Sequence, residues 1–347
     1  MGKMLGAQTV LLEMRPVVES WASTVCQKEG EGPLGSLFDV IYADDTLGQD
    51  NWEKAEMRLF LDAAERCIEK SGKTVEDVRM LLGGDLLNQL VASNFAGREM
   101  GLPFLGLFGA CSTMAESLCV GAMILEGGSA DRVVCAASSH FCTAERQFRF
   151  PLEMGTQRPP SAQWTVTGAG AAMLTARSAA PSAGSFLTHL TIGKPIDLGV
   201  TDASNMGAAM APAAADTLHQ HFMDTGRTPA DYDMIVTGDL GMVGSAILRE
   251  LMGEKGMPLK ENRHEDCGLM IFSPEQDTHA GGSGCGCSAS VLCASLLPRV
   301  SQGKIDRLLF MATGALMSTV SANEGESIPS IAHAVVIERP EGAKNNA

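Results

Sequence analysis

The sequence predicts an α/β protein with duplicated halves in a five-layer αβαβα arrangement, in which layers of helices cover and separate two sheets. The first observation behind this prediction is an internal repeat. Residues 71–86 lie over residues 225–240 at a constant offset of 154, and seven of the sixteen aligned positions are identical. The second is a pair of helical segments, one in each half, with almost no charge. A repeat of this period is too long for a solenoid unit and indicates a duplicated domain.

Each half follows the order helix, glycine turn and strand. A helix is predicted over Glu53 to Lys70 before the first copy and over Pro212 to Asp224 before the second, and a short apolar strand follows each turn. We therefore divide the chain into an N-terminal half, residues 1–177, and a C-terminal half, residues 178–347.

A second match and the two charge-free segments extend the duplication. Residues 128–137 resemble residues 303–312 at an offset of 175. No Asp, Glu, Lys or Arg lies between Glu116 and Glu126 or between Asp277 and Arg299. A helix that is apolar on every side belongs in an interior, so these two segments predict a central helical layer between the sheets. The run from Asn205 to Ala215 is predicted to be an adaptable loop that leads into a helix.

Composition limits the classes of function. The chain has 347 residues, of which 45% are hydrophobic and 19% charged, so it can bury a large core. Ten cysteines without a CxxC pair argue for a reducing compartment and against a disulfide framework or a zinc site. A formal charge of −15 argues against nucleic acid as a partner. We expect no transmembrane segment and no signal peptide, because no apolar run approaches the roughly 20 residues of a bilayer span.

No metal site or cofactor is predicted. The run from His264 to Cys267 has the residue types of a metal site. Four consecutive side chains cannot all point at one ion, so this run is interpreted as a turn with one or two buried polar contacts.

Cys111 is the candidate nucleophile. The segment from Leu107 to Leu118 predicts a buried strand that turns sharply into a helix, with Cys111 at the helix start. Unpaired amide N–H groups and the positive end of the helix dipole would favour the thiolate and lower the pKa of this cysteine. Small neighbours, Gly109 and Ala110, leave room for a substrate. The alternative is a core cysteine, because free cysteines are among the most buried residues.

Three long and unusual segments carry a family resemblance. Residues 136–151, 157–170 and 279–287 resemble the stage V sporulation protein AD family. The duplicated halves, the cysteine turn in the first and the glycine-rich turn into a buried helix in the second resemble the thiolase fold of thiolases and ketoacyl synthases. The resemblance covers nearly the whole chain.

This resemblance implies a spore protein that binds dipicolinic acid (pyridine-2,6-dicarboxylic acid) and is needed for its uptake, with calcium, into the developing spore. The implied ligand is dipicolinate, either free or as its calcium chelate. Membrane proteins of the same sporulation system are the implied partners. The implied location is the forespore and spore, peripheral to the inner membrane, with a connection to germination. A homodimer is expected, because thiolase-like domains usually pair their sheets.

Condensation chemistry on this fold needs a nucleophilic cysteine and side chains that move protons and stabilise an oxyanion. In the ketoacyl synthase relatives, a histidine follows the strand that corresponds to residues 234–236. In this chain, Gly238 and Asp239 occupy the position of that histidine. They are interpreted as a structural turn, because the first half has the same pair, Gly84 and Asp85, at the equivalent position.

A second catalytic group of the relatives is also missing. Where they carry an asparagine before the buried helix, this chain has the turn Gly281 to Gly284, and no cysteine follows Cys293. The sequence therefore predicts a pseudoenzyme without catalytic residues. The alternative is an active acyl-thioester condensing enzyme of the ketoacyl synthase or thiolase type that uses Cys111.

A planar aromatic dicarboxylate needs cations, faces above and below its ring, and hydroxyl or amide donors. The predicted ligand-binding residues are Cys111, Ser138, Ser139, His140, Arg146, Arg149, Arg158, His279 and Ser283. For each arginine, the alternative is a surface ion pair with Glu145 or Glu153. His279 either faces Cys111 as a base or hydrogen-bonds to the backbone of a tight loop.

Overall fold

A computed structural model of the chain describes residues 2–148, 158–180 and 184–339. The strands in these ranges are β1 (Lys3–Leu5), β2 (Thr9–Leu11), β3 (Val17–Val25), β4 (Val40–Ile41), β5 (Met80–Gly84), β6 (Phe104–Gly106), β7 (Arg132–Ser139), β8 (Trp164–Thr165), β9 (Gly168–Thr175), β10 (Phe186–Thr191), β11 (Met234–Thr237), β12 (His264–Asp266), β13 (Gly282–Ser283), β14 (Arg307–Ala315) and β15 (Ser330–Glu338). The α-helices in the same ranges are α1 (Gln27–Gly30), α2 (Trp52–Lys70), α3 (Val91–Met100), α4 (Thr113–Glu126), α5 (Phe141–Phe148), α6 (Met206–Thr225), α7 (Gly241–Glu254), α8 (Cys267–Ile271), α9 (Cys285–Val291), α10 (Leu297–Ser301) and α11 (Thr319–Asn323). A π-helical turn, Leu292–Leu296, joins α9 to α10.

Both halves contain a five-stranded mixed sheet of the same topology. The strand order is β6-β5-β7-β9-β3 in the first half and β12-β11-β14-β15-β10 in the second. In each sheet the first two pairings are parallel and the last two are antiparallel. Strand order and direction repeat together, so the repeat in the sequence is a duplication of structure.

The two sheets meet along one edge. A single antiparallel pair, Phe186 with Val17, connects β10 to β3. The hairpin of β1 and β2 pairs with β10, so residues at the N-terminus add to the sheet of the second half.

Helices with few charged residues lie between the two sheets, and other helices cover the outer faces. Helix α4 contacts β5, β7 and β9 of the first sheet and β14 and β15 of the second, and α9 contacts α4. Helices α2 and α3 pack on the outer face of the first sheet, while α6 and α7 cover the second. The nearly charge-free segments therefore form the central layer, and the predicted αβαβα arrangement is confirmed.

The repeated Thr and Asp of the two copies form the same local structure. The carboxylate of Asp77 accepts a hydrogen bond from the backbone N–H of Thr74 at 3.0 Å. Asp231 accepts the equivalent bond from Thr228 at 2.7 Å. Each pair caps a short 3₁₀ turn immediately before a central strand, which explains why the residues are identical in both halves.

Two local predictions are wrong. Helix α6 begins at Met206, so the run predicted to be a loop is mostly helical, with Pro212 inside it. The Ala-rich run favours helix, and the Asn205 side chain caps it by accepting a bond from the N–H of Ala208 at 3.3 Å. The run that begins at His264 is mainly an edge strand, β12, and not a turn, because it pairs with β11.

Candidate functional site

Cys111 lies in the sharp strand-to-helix turn that the sequence predicts. A 3₁₀ turn over Ala110–Ser112 joins the segment after β6 to α4. Ala110 has a left-handed φ of 49°, which is uncommon for a residue other than glycine. Gly314 of β14 permits this approach, because a Cβ atom there would lie 2.1 Å from the carbonyl oxygen of Gly109. The turn leaves Cys111 only 9% exposed at the wall of a cleft.

Residues of the second half lie next to Cys111. The Sγ atom of Cys111 lies 4.0 Å from Oγ of Ser283. The Ser283 hydroxyl and the N–H of Gly284 both donate to Oδ2 of Asp239, each at 3.0 Å. The hydroxyl of Thr313 donates to Oδ1 of Asp239 at 2.9 Å. A fully buried carboxyl group is therefore fixed close to the thiol.

This surrounding keeps the proton on sulfur. The pKa of Cys111 is raised well above its ordinary value, first by burial and then by the charge of Asp239. The predicted lowering of this pKa is therefore wrong, because burial and a nearby anion outweigh the helix start. Burial also raises the pKa of Asp239, to about 6, so this carboxyl is mostly ionised at neutral pH while the thiol is not.

Asp239 and its counterpart Asp85 have different roles. Asp85 accepts bonds from the N–H of Leu87 and from the N–H and hydroxyl of Ser93, as a structural turn residue does. Asp239 instead contacts groups brought by β13 and β14. The interpretation of Asp239 as only a turn residue is therefore incomplete, because it also sets the environment of Cys111.

The cleft beside Cys111 spans about 670 Å³, part of which is open to solvent, and its lining is mainly apolar. Its apolar walls include Leu86, Phe108, Phe148, Met206, Met210 and Met317, and its polar lining consists of Cys111, Glu145, Gln163, Thr165 and Ser283. Of the predicted ligand-binding residues that the structure describes, Cys111 and Ser283 line this cleft and the others do not. Within the described ranges, no arginine, lysine or histidine lines this cleft.

Ser138, Ser139 and His140 are fully buried at the end of β7, and their side chains bind other parts of the fold. Ser138 donates to the carboxyl of Glu56 at 3.3 Å, and Ser139 donates to the carbonyl oxygen of Val166 at 2.7 Å. Nδ1 of His140 accepts from the N–H of Cys142, so Nε2 carries the proton and donates to the carbonyl of Asp45 at 2.7 Å. Burial lowers the pKa of His140, which favours this neutral form.

Glu56→Gln is expected to make the protein less sensitive to alkaline pH. The pKa of Glu56 is raised by burial and then by the charge of Asp85, so the folded protein holds a proton that the unfolded chain releases at about pH 4 to 5. The free energy of unfolding therefore falls as the pH rises from there toward the folded-state pKa.

Glutamine does not ionise, so the stability advantage of the variant should grow with pH. Urea unfolding at several values between about pH 5 and about pH 9 measures this difference. Glu324→Gln, at an exposed position, is the control. A difference that stays constant across the range would contradict the prediction.

The predicted cationic residues that the structure describes lie outside the cleft. Arg146 forms an ion pair with Glu53 and lies over the ring of Trp52. Nδ1 of His279 lies 2.8 Å from the carbonyl oxygen of Pro159, and Nε2 lies 3.2 Å from Asp277, so His279 adopts the backbone-bound alternative and not the position of a base for Cys111. Arg149 lies outside the described residues.

Arg158 belongs to a cluster that the sequence did not predict. Its guanidinium lies 4.8 Å from the ring centroid of Trp164, and the ammonium of Lys28 lies 4.2 Å from the same centroid. Phe141 stacks on Trp164 at 3.9 Å. We call these four residues the Trp164 platform. An arginine and a lysine on one aromatic surface can bind an anion, so the platform supplies the charge that the cleft lacks.

Comparison with known proteins gives a family and a fold. The family model of stage V sporulation protein AD matches residues 6–338 of the chain. The stage V sporulation protein AD of Bacillus subtilis (strain 168) is 47% identical over 341 residues, which cover 98% of this chain and 99% of that protein.

Solved structures with similar folds are much less similar in sequence. A variant of Xanthomonas campestris OleA with cerulenin has a TM-score of 0.60 at 15% identity, over 94% of this chain and 97% of that one. The 3-oxoacyl-(acyl carrier protein) synthase III of Pseudomonas aeruginosa PAO1 has a TM-score of 0.57 at 15% identity, over 94% and 99% of the two chains. The predicted thiolase-like fold is confirmed.

Proposed function

Because the chain belongs to the stage V sporulation protein AD family, we propose that it binds dipicolinate and supports its uptake, with calcium, into the developing spore. It is a sporulation protein with a thiolase-like fold. On this proposal the fold is a binding scaffold, and Cys111 forms part of a pocket wall without acting as a nucleophile.

The proposal that Cys111 is not a nucleophile is supported mainly by the Asp239 carboxyl beside its thiol. A cysteine nucleophile needs a neighbour that takes its proton or stabilises its anion, and an imidazole does both. At Cys111 the neighbouring charge is negative and raises the thiol pKa. His279, the histidine predicted to be a base, is bound to Pro159 and Asp277 instead. These contacts favour binding over acyl transfer.

The ligand-binding part is supported by two neighbouring surfaces. The cleft offers apolar walls together with the hydroxyl group of Thr165. The Gln163 amide and the Ser283 hydroxyl also line it, and both already donate hydrogen bonds to Asp239. The Trp164 platform offers two cations. The platform combines the two kinds of contact that a planar dicarboxylate requires, aromatic rings for its apolar ring and cations for its charges, which are costly to remove from water unless they are paired.

Isothermal titration calorimetry of the full chain with disodium dipicolinate, with and without calcium chloride, tests this function. We expect saturable binding near one ligand per chain, and weaker binding of pyridine-3,5-dicarboxylate, which has the same charge but a different arrangement of its groups. Absence of saturable binding under both conditions would overturn the proposal.

The alternative function is an acyl-thioester condensing enzyme that uses Cys111. The strained turn at Ala110 and the apolar cleft in front of the thiol favour it, because both would suit an acyl group bound to sulfur. Covalent acylation of Cys111 separates the two functions.

Membrane proteins of the same sporulation system are proposed as partners at the inner membrane of the forespore and spore. In the described ranges, none of the helices has both the length and the apolar character needed to cross a bilayer. Attachment through partner proteins is consistent with that finding.

A homodimer is proposed through the outer edge of β6. Among the described strands, β6 pairs with β5 alone, and around it Phe95, Leu105 and Phe108 are 44%, 44% and 48% exposed. Pairing of two β6 edges would cover this apolar surface. Phe108 also lines the cleft, so a partner subunit would complete the cleft wall.

Leu105→Glu is expected to dissociate this dimer, because it buries a charge in an apolar contact. Light scattering coupled to size-exclusion chromatography should give about twice 36.5 kDa for the unsubstituted chain and about 36.5 kDa for the variant. Met242→Glu changes a still more exposed apolar residue elsewhere and is the control. A monomeric unsubstituted protein would refute the dimer.

A further inference from the structure

Two positive charges share one aromatic surface in the Trp164 platform. Phe141 and Trp164 are stacked with their planes inclined by 9°, so one indole face is covered. Lys28 and Arg158 both lie over the indole ring, at 4.2 and 4.8 Å from its centroid. Two like charges at this separation repel each other, so other groups must stabilise the arrangement.

Backbone carbonyls of one loop supply that stabilisation. The Lys28 ammonium donates to the carbonyl oxygen of Gln276 at 2.7 Å. The Arg158 guanidinium donates to the carbonyls of Asp277 and Thr278 at 3.3 and 3.5 Å. Asp277 has a left-handed φ of 55°, which costs energy and is tolerated mainly where the conformation has a purpose. The loop conformation therefore serves to point carbonyl oxygens at the two cations.

Lys28 is held at both its side chain and its backbone. Its ammonium binds the Gln276 carbonyl, and its own carbonyl accepts a bond from the Gln276 side chain at 2.6 Å. This reciprocal pair joins α1 of the first half to a loop of the second. Lys28 is therefore ordered before any ligand arrives, which lowers the entropy cost of binding.

Lys28 binds a backbone carbonyl and an indole ring, although acidic residues outnumber basic ones by 41 to 26. Within the described residues, no ion pair includes Lys28. A half-buried ammonium with only a carbonyl and an indole as partners keeps N–H donors for an anion.

We infer that Lys28 receives one carboxylate of the ligand, with Arg158 placed to receive the second. The inference rests on the proposed function and adds to it a residue that recognises charge. Trp164 lies between Gln163 and Thr165, which line the cleft, so the platform and the cleft are separated by a single strand, β8. The cleft contributes no cation among the described residues, and the dianion is therefore recognised on the platform side.

Titration calorimetry with calcium-free disodium dipicolinate tests this inference. Lys28→Gln removes the charge and keeps a polar side chain of similar reach, and it is expected to weaken binding about ten- to hundredfold. Lys28→Arg keeps the charge and should restore most of the affinity. The unsubstituted protein should prefer dipicolinate to pyridine-2-carboxylate, and this preference should shrink in Lys28→Gln because the second carboxylate has lost its partner.

Lys304→Gln is the matched control, because it removes an exposed lysine that is distant from Lys28 in the sequence. Dipicolinate binding by the unsubstituted protein, combined with equal affinities of the Lys28 and Lys304 variants, would overturn this inference and leave the proposed function standing. Lack of binding by the unsubstituted protein would overturn both. Circular dichroism of each variant confirms that the comparison is made between folded proteins.

Discussion

Asp239→Asn is expected to increase the rate at which iodoacetamide alkylates Cys111 at neutral pH by about tenfold or more. The Asp239 carboxyl is held near the thiol by Ser283, Gly284 and Thr313, and its charge raises the thiol pKa. Asparagine has nearly the same shape, can accept part of these hydrogen bonds and carries no charge. The thiolate fraction of Cys111 should therefore rise while the cleft keeps its form.

The duplication supplies the matched control for this experiment. Asp85→Asn makes the same change at the equivalent position of the first half, where the carboxyl binds Leu87 and Ser93. It should leave the alkylation rate of Cys111 unchanged. Peptide mapping by mass spectrometry reports on Cys111 and, in the same sample, on the half-buried Cys142 as an internal reference. Equal Cys111 rates in both Asn variants and the unsubstituted protein would show that Asp239 does not control the thiol.

Gly170→Ala is expected to lower the free energy of unfolding by about 3 kcal/mol, because overpacking forces the backbone to shift. Gly170 lies on β9 against the central helix α9. A Cβ atom at this position would lie 2.2 Å from the carbonyl oxygen of Ala289 and 2.9 Å from the backbone nitrogen of Ser290. The methyl group meets backbone on the facing side, so no side-chain rotation can relieve the contact. The central layer and the first sheet would have to move apart.

Urea unfolding of the purified variant measures this loss of stability. Gly253→Ala is the control, because no atom lies within 4 Å of its added Cβ and the residue is helical. That substitution should stabilise the protein by about 0.5 to 1 kcal/mol. A Gly170→Ala variant as stable as the unsubstituted protein would contradict the close helix-to-sheet packing.

The fold was predictable from the sequence because its signals are local and repeated. The offset between the two copies, the identical Thr and Asp residues of the capped turns and the nearly charge-free segments each required only the printed sequence. The sharp turn at Cys111 was also predictable, since small residues separate an apolar strand from a helix. Edge strand β12 was missed because only pairing with β11 distinguishes it from a turn.

The site was less predictable because its residues meet through tertiary structure. Asp85 and Asp239 each follow a glycine in the repeat, so the sequence does not distinguish them. In the structure, the hydroxyl groups of Ser283 and Thr313 donate hydrogen bonds to Asp239. Arg146 and Arg158, which are close in sequence, have different surroundings, since Arg146 faces Glu53 on α2 and Arg158 lies over Trp164. Lys28 gave no sequence signal, because it is distant from Trp164 in the sequence and only the fold brings the two residues together.

The central claim is that the fold of an acyl-transfer enzyme serves here to bind a ligand, with Cys111 held as a protonated thiol. Intact-protein mass spectrometry after incubation with acetyl-CoA and with lauroyl-CoA tests this claim most directly. We expect the mass of the full chain to stay unchanged with both thioesters at neutral pH. The incubation lasts as long as a bacterial synthase III needs to become fully acylated. An acyl adduct that forms on the unsubstituted protein and is absent from Cys111→Ala would contradict it.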